Sequence, residues 1–222
     1  MRVRLSWVLC ASALGCGSNR GAGGPRSEAT RATMLAVGAF AIDRVPVTAG
    51  DYARFVAEAR RAPPASTGGA LADLHAWAGG EAPRAYRSHP VVLVRFDDAA
   101  AFCAWRRARL PTVEEFRAAA GSSAYPWGDD VDPTRVNSAE FGAGDTVPVA
   151  SFPRAMSPLG LMDASGNVAE WTASPGEREG ERLVVGSAFD EPAAVGRVDR
   201  AGSFSVDTRA VTLGFRCAMS RP

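Results

Sequence analysis

The side chains able to do chemistry in this chain are few and widely spaced. Its four cysteines stand at positions 10, 16, 103 and 217, and its two histidines at positions 75 and 89. Thiolates are the soft ligands that Cu(I) requires, and a histidine beside a serine or cysteine would activate a nucleophile; no such nucleophile and base are apparent. All 25 basic residues are arginine, which excludes Schiff-base chemistry and a lysine-built phosphate loop. One spacing suggests a metal. In Gly166-Asn167-Val168-Ala169-Glu170-Trp171, Asn167 and Glu170 lie three apart, so amide and carboxylate oxygens can converge with backbone carbonyls on a hard cation such as calcium. The same side chains also suit the capping of turns by hydrogen bonds, and both readings stand at this point. His89, followed by Pro90, reads as structural rather than as a ligand.

The elements that must position these residues belong to one domain. The length of 222 residues and a hydrophobic content of 46% suffice for a single sizeable core. A net charge of +1, from 25 basic and 24 acidic residues, gives no field pointing to nucleic acid or an anionic surface as main partner. The scattered arginines read as codon bias of a GC-rich genome rather than as an anion-recognition surface.

Residues 1–16 carry Arg2 and Arg4, an apolar run from Leu5 to Leu14, and then Gly15-Cys16. A charged start, a short apolar stretch and a small-residue cleavage site describe a signal peptide, too short to span a bilayer permanently. Ala13-Leu14-Gly15-Cys16 is similar to a lipobox, so Cys16 is the expected lipid anchor. Residues 17–33, rich in Gly, Ser, Arg and Ala, are then a flexible tether, and 34–222 the folded part. The expected location is the bacterial cell envelope, facing the periplasm or exterior, where remaining cysteines can pair.

Within the folded part, which begins near Met34, Leu35, Val37, Phe40 and Ile42 read as a first strand ending at Pro46. Tyr52, Phe55, Val56 and Ala59 recur at helical spacing behind Thr48, a ready N-cap. Residues 61–89 hold His75 and Trp77 without sustained periodicity and read as an irregular connection. His89 to Val94 reads as a short buried strand. Asp97 or Asp98 then caps a second helix with Ala101, Phe102 and Trp105 inward, and Thr112 caps a third, with Glu114 and Glu115 in its first turn. From Tyr125 onward the pattern is turns, loops and short strands.

Four groups of residues, in order, resemble one family. They are Ile42-Asp43-Arg44-Val45-Pro46-Val47-Thr48 with Tyr52 and Phe55; His89-Pro90-Val91-Val92, Phe102-Cys103-Ala104-Trp105 and Arg109-Leu110-Pro111-Thr112-Val113-Glu114-Glu115-Phe116; Tyr125-Pro126-Trp127-Gly128, Arg135-Val136-Asn137, Pro148-Val149, Gly160-Leu161-Met162-Asp163 and Gly166 to Thr172; and Gly186-Ser187 with the terminal Leu213-Gly214-Phe215-Arg216-Cys217. The ordered set, covering roughly residues 36–218, resembles the formylglycine-generating enzyme, or sulfatase-modifying factor, family. The resemblance implies a single α+β domain, loop-rich, related to C-type lectin folds and often calcium-bound.

It also implies what is missing. Family oxidases hold copper on two cysteines after the Gly-Ser element, but between Gly186 and Arg216 this chain has none; Asp190, Ala193, Ala194 and Val195 occupy that stretch. No copper site is therefore expected. Cys103 and Cys217 match family positions joined by a structural disulfide. Carried over in the same way, Asn137 would serve a second calcium site, with Asp145 its carboxylate. The iron-binding branch of the family uses histidines of an additional domain, for which His75 and His89 are no match. Trp105, Trp127 and Trp171 are expected in the core, while Val185 and Phe116 replace a usual glycine and tryptophan. The function implied is a non-catalytic binding or accessory module, monomeric, reaching the membrane through its lipid anchor only and presenting a calcium-stabilised surface to a peptide, glycan or protein. The alternative is a divergent oxidase acting on a protein or peptide cysteine.

Overall fold

The computed structural model describes residues 34–221; the expected signal peptide and tether, and the expected anchor Cys16, lie outside the described residues. No helix among the latter is long and apolar enough to cross a membrane. The chain folds as α+β, with short helices set against two open sheets.

The first sheet holds β1 (Met34–Val37), β2 (Phe40–Asp43) and the last strand, β7 (Ala218–Ser220), in the order β1-β2-β7. The single first strand expected over these residues is two. The chain reverses after Val37, with Gly38 at φ 53°, a conformation open to glycine at little cost, and Leu35 comes to lie opposite Ile42. The second sheet has the order β5-β4-β3-β6, from β3 (Ala169–Pro175), β4 (Glu181–Val185), β5 (Gly202–Ser205) and β6 (Leu213–Phe215). Because β6 runs parallel to β3, Glu170 is placed beside Gly214 and Trp171 beside Phe215.

Helix α1 (Ala49–Ala59) begins where expected, the Thr48 hydroxyl accepting from the Asp51 amide at 3.1 Å. Its Tyr52, Phe55 and Val56 are buried. The connection that follows is less irregular than expected, since it contains α2 (Ala70–His75). The strand expected over residues 89–94 is absent: only Pro90 makes an isolated bridge, to Thr48. Leu93 takes φ 61°, which breaks an extended run, although Val91 to Val94 are all buried. Burial alone produced the strand-like pattern.

Helix α3 (Phe96–Trp105) is capped at Arg95, whose amide donates to the Asp98 carboxylate at 3.3 Å. Phe102 stacks on Tyr52 at 5.5 Å and meets Phe215 edge-on at 5.4 Å, so α1, α3 and β6 share one aromatic core. Trp77 closes it, edge-on to Tyr52 at 5.9 Å and 8% exposed. Trp171 is fully buried, whereas Trp105 and Trp127, both expected in the core, are only half-buried. Cys103 of α3 and Cys217, just before β7, form a disulfide with Cα atoms 5.6 Å apart.

Helix α4 (Val113–Ala120) opens with a reciprocal cap, the Glu115 amide donating to the Thr112 hydroxyl and the Thr112 amide to the Glu115 carboxylate. Arg109 adds two charge-assisted bonds to the same carboxylate at 2.6 Å. Burial alone would raise the Glu115 carboxyl; the hydrogen bonds from Arg109 and from the Thr112 amide, with the arginine charge, outweigh it and hold it below its ordinary value. A depressed folded-state value contributes stability above the unfolded value and loses it as pH falls through the folded one. Glu115→Gln is therefore expected to cost about 1 kcal/mol at neutral pH, with the gap closing below about pH 4. Urea melts of both proteins across that range check it.

Candidate functional site

Residues 186–196 leave the end of β4 and form the stretch where family oxidases carry thiols. Gly186 sits at φ 75°, with the Ala164 and Val168 carbonyl oxygens 3.4 and 3.7 Å from where a Cβ would lie. Ala188, Phe189 and Ala193 then turn inward and are buried. Carboxylates pin the segment from both sides: the Ala188 amide donates to Glu191 at 2.9 Å and the Ala193 amide to Glu140 at 2.9 Å. The Glu191 carbonyl in turn accepts from the Ala139 amide, and the Ala194 carbonyl from the Tyr125 hydroxyl at 3.3 Å. What remains is a closed, hydrogen-bonded loop carrying carboxylates and amides, hard oxygen donors unsuited to Cu(I). The two described cysteines are spent in the disulfide.

Next to this loop, three of the four candidate calcium residues are drawn together. The Asn137 side-chain amide donates to the Asp145 carbonyl at 2.9 Å and to the Asn167 side-chain oxygen at 3.2 Å. Asn167, at φ 70°, also accepts from the Val147 amide at 3.0 Å. Both asparagines are at most 2% exposed. One oxygen in this knot has no partner: Oδ1 of Asn137 is buried without a donor, as is the neighbouring Ser138 hydroxyl. A buried acceptor left unpaired is costly, and a hard cation is one group that would satisfy it.

The Asp145 carboxylate is already engaged. Oδ1 meets His75 Nε2 at 2.7 Å, Oδ2 accepts from the Tyr86 hydroxyl at 2.7 Å, and the Thr146 amide also donates to it. Burial would raise this carboxyl, but the bonds from His75 and Tyr86 outweigh it and hold it below its ordinary value. Burial, then the bond to Asp145 and its charge, push the Tyr86 phenol up to about 12. His89 is structural here, its Nδ1 bonded to the Thr146 hydroxyl at 2.8 Å. The histidines and Tyr86 thus fasten the 61–89 connection to the Asn137 knot. Sequence reading missed this cluster.

Glu170 does not join Asn167. It is 1% exposed, and both of its oxygens accept from Arg216, at 2.6 Å each. The expectation that these two residues share one cation is corrected by strand geometry: Glu170 lies on β3 beside β6, and a fully buried arginine at the end of β6 claims its carboxylate. Arg216 further donates to the carbonyls of Asp43, Arg44, Met162 and Asp163. The pair ties the two sheets to the loop preceding Gly166.

The sequence that builds this arrangement matches a known family. The family description "Sulfatase-modifying factor enzyme 1-like domain" covers residues 14–221. The chain belongs to this family. Among curated relatives of this sulfatase-modifying factor chain, the mouse (Mus musculus) protein "Inactive C-alpha-formylglycine-generating enzyme 2" is 33% identical over 248 residues, covering 89% of this chain and 78% of the relative. The formylglycine-generating enzyme of Streptomyces coelicolor is 33% identical over 167 residues, spanning 59% of this chain and about half (52%) of the relative's length. Among solved structures, PvdO from Pseudomonas aeruginosa superposes with a TM-score of 0.67 at 22% identity, over 82% of this chain and 80% of that one. The last likeness speaks to fold alone.

Proposed function

We propose that this sulfatase-modifying factor domain is a non-catalytic binding or accessory module, held at the bacterial cell envelope by a lipid on Cys16. The carrying observation is the loop after β4: no thiol stands in it, its inward residues are Ala188, Phe189 and Ala193, and Glu140 and Glu191 lock it shut. Meanwhile the Glu170–Arg216 ion pair and the Cys103–Cys217 disulfide are both formed, which supports an intact scaffold. The mouse relative's name, which describes it as inactive, supports the same reading. In a Cu(I) competition titration of the oxidised protein, the expected result is no transfer of copper from a chelator; stoichiometric uptake would revive the oxidase reading, which draws on the likeness to the Streptomyces enzyme.

Calcium belongs to the proposal as a structural ion at Asn137, whose buried oxygen has no donor. Asn167, and Asp145 through its carbonyl, are the neighbouring oxygen donors; the Asp145 carboxylate is taken by His75 and Tyr86, and that of Glu170 by Arg216. Calcium supplied at a hundred times its dissociation constant is expected to add about 2.7 kcal/mol. Thermal melts with calcium and with chelator check this, and Asn137→Ala should abolish the difference between them.

A further inference from the structure

We infer that a cleft beside the turn at residues 121–124 binds a carboxylate carried on a ring about the size of one sugar. The cleft has a volume of about 320 Å³ and is open to solvent. The short 3₁₀ turns Pro133–Arg135 and Pro153–Ala155 form one wall. They are joined by a bond from Arg135 Nη1 to the Arg154 carbonyl at 2.9 Å, which brings both arginines to the cleft. Arg135 is partly committed, since its Nε lies 2.8 Å from Asp132. Arg154 has no carboxylate partner among the described residues, and no acidic residue lines the cleft.

A second cavity lies on the other side of the same turn and differs in having carboxylates in its lining. It is lined by Arg117, Arg197, Asp129 and Asp199. There Arg197 is paired with Asp199 at 2.6 Å, and Arg117 donates to the Val198 and Asp199 carbonyls. The first cleft, by contrast, sets the Arg154 guanidinium in a lining that contains no carboxylate. Planar carboxylates are the group that such a fork recognises, through two parallel bonds.

Trp127, which also lines the cleft, supplies the ring. Trp127 is half-buried rather than in the core. One face is stacked on Tyr125 at 5.1 Å, with the ring planes 13° apart, and its Nε1 donates to the Asp130 carbonyl at 3.0 Å. Its polar edge is therefore satisfied elsewhere, and apolar ring surface is what it offers the cleft, together with Met156, which is 42% exposed. A ligand matching the arginine and the ring has a flat apolar or C–H-bearing face and one carboxylate. A uronic acid and an aromatic acid share that chemistry.

Ligand-observed NMR titration of the intact protein with glucuronate and with benzoate tests this, with glucose as the neutral control. At least one acid should bind, and Arg154→Gln should weaken it by about tenfold or more. Arg154→Lys, which keeps the charge and loses the fork, should fall between. Preference for glucuronate identifies a saccharide source, and preference for benzoate an aromatic one. Equal binding by the Gln variant, glucose binding as tightly as glucuronate, or no binding of either acid overturns the assignment. None of these outcomes depends on copper, so failure here leaves the proposed function of the β4 loop to its own test.

Discussion

Glu170→Ala is expected to remove roughly 3–5 kcal/mol of folding stability, the cost of stranding a buried charge. Arg216 is fully buried and Glu170 is 1% exposed. Burial pushes the Glu170 carboxyl up while the Arg216 guanidinium opposes it, so neither partner is tolerable without the other. The carbonyls of Asp43, Arg44, Met162 and Asp163 would still accept from the arginine, but no carboxylate would be bonded to it, and only the charges of Asp43 and Asp163 would act on it without a direct bond. Glu170→Gln, which keeps an acceptor, should lose less. Replacing both partners together, Arg216→Met with Glu170→Leu, should recover part of the loss, because a buried pair exchanged for apolar side chains is often close to neutral. Denaturant melts of the wild type, Glu170→Leu, Arg216→Met and the double variant close a cycle that gives the coupling energy directly. A loss under about 1 kcal/mol for Glu170→Ala would be the value of a surface pair and would contradict the described burial.

Removing the disulfide has the next largest expected effect. Cys103 and Cys217 are 114 residues apart, and in the chain-entropy picture closing so long a loop constrains the unfolded state by about 4–5 kcal/mol. Cys103→Ala with Cys217→Ala should lower stability by that order, and reduction of the wild type should do the same. The loss should appear mainly as a shift of the melting midpoint, since both residues are buried in the core shared by α1, α3 and β6. Thiol labelling of residues 34–222 should find both cysteines only after reductant. Two free thiols in the folded, unreduced protein would contradict the pairing.

Local features were legible in the sequence and distant ones were not. The Thr48 and Thr112 caps act within three residues, so their signal lies in a short window. The β1–β2 hairpin was masked because apolar residues recur on both sides of the turn; its local marks were Gly38 and the change of phase from Val37 to Phe40. Val91 to Val94 read as a strand because a short buried run looks the same whatever its backbone does. The ion pair joins residues 46 apart in sequence. A hint was present: Glu170 and Arg216 each stand in an apolar stretch next to a buried aromatic, and charges are rarely fully buried unless paired. The resemblance that drew attention to Gly166 to Trp171 located the region correctly but left open what Glu170 faces. Only the parallel β3–β6 pairing answers that.

The central claim is that the loop after β4 no longer supports oxidation, and aerobic turnover tests it most directly. The oxidised protein, supplied with Cu(I) and a cysteine-containing sulfatase peptide, should leave the peptide mass unchanged, because no soft ligand pair stands between Gly186 and Arg216 to hold the metal. Conversion of the peptide cysteine to formylglycine at a rate that scales with protein concentration would contradict the account.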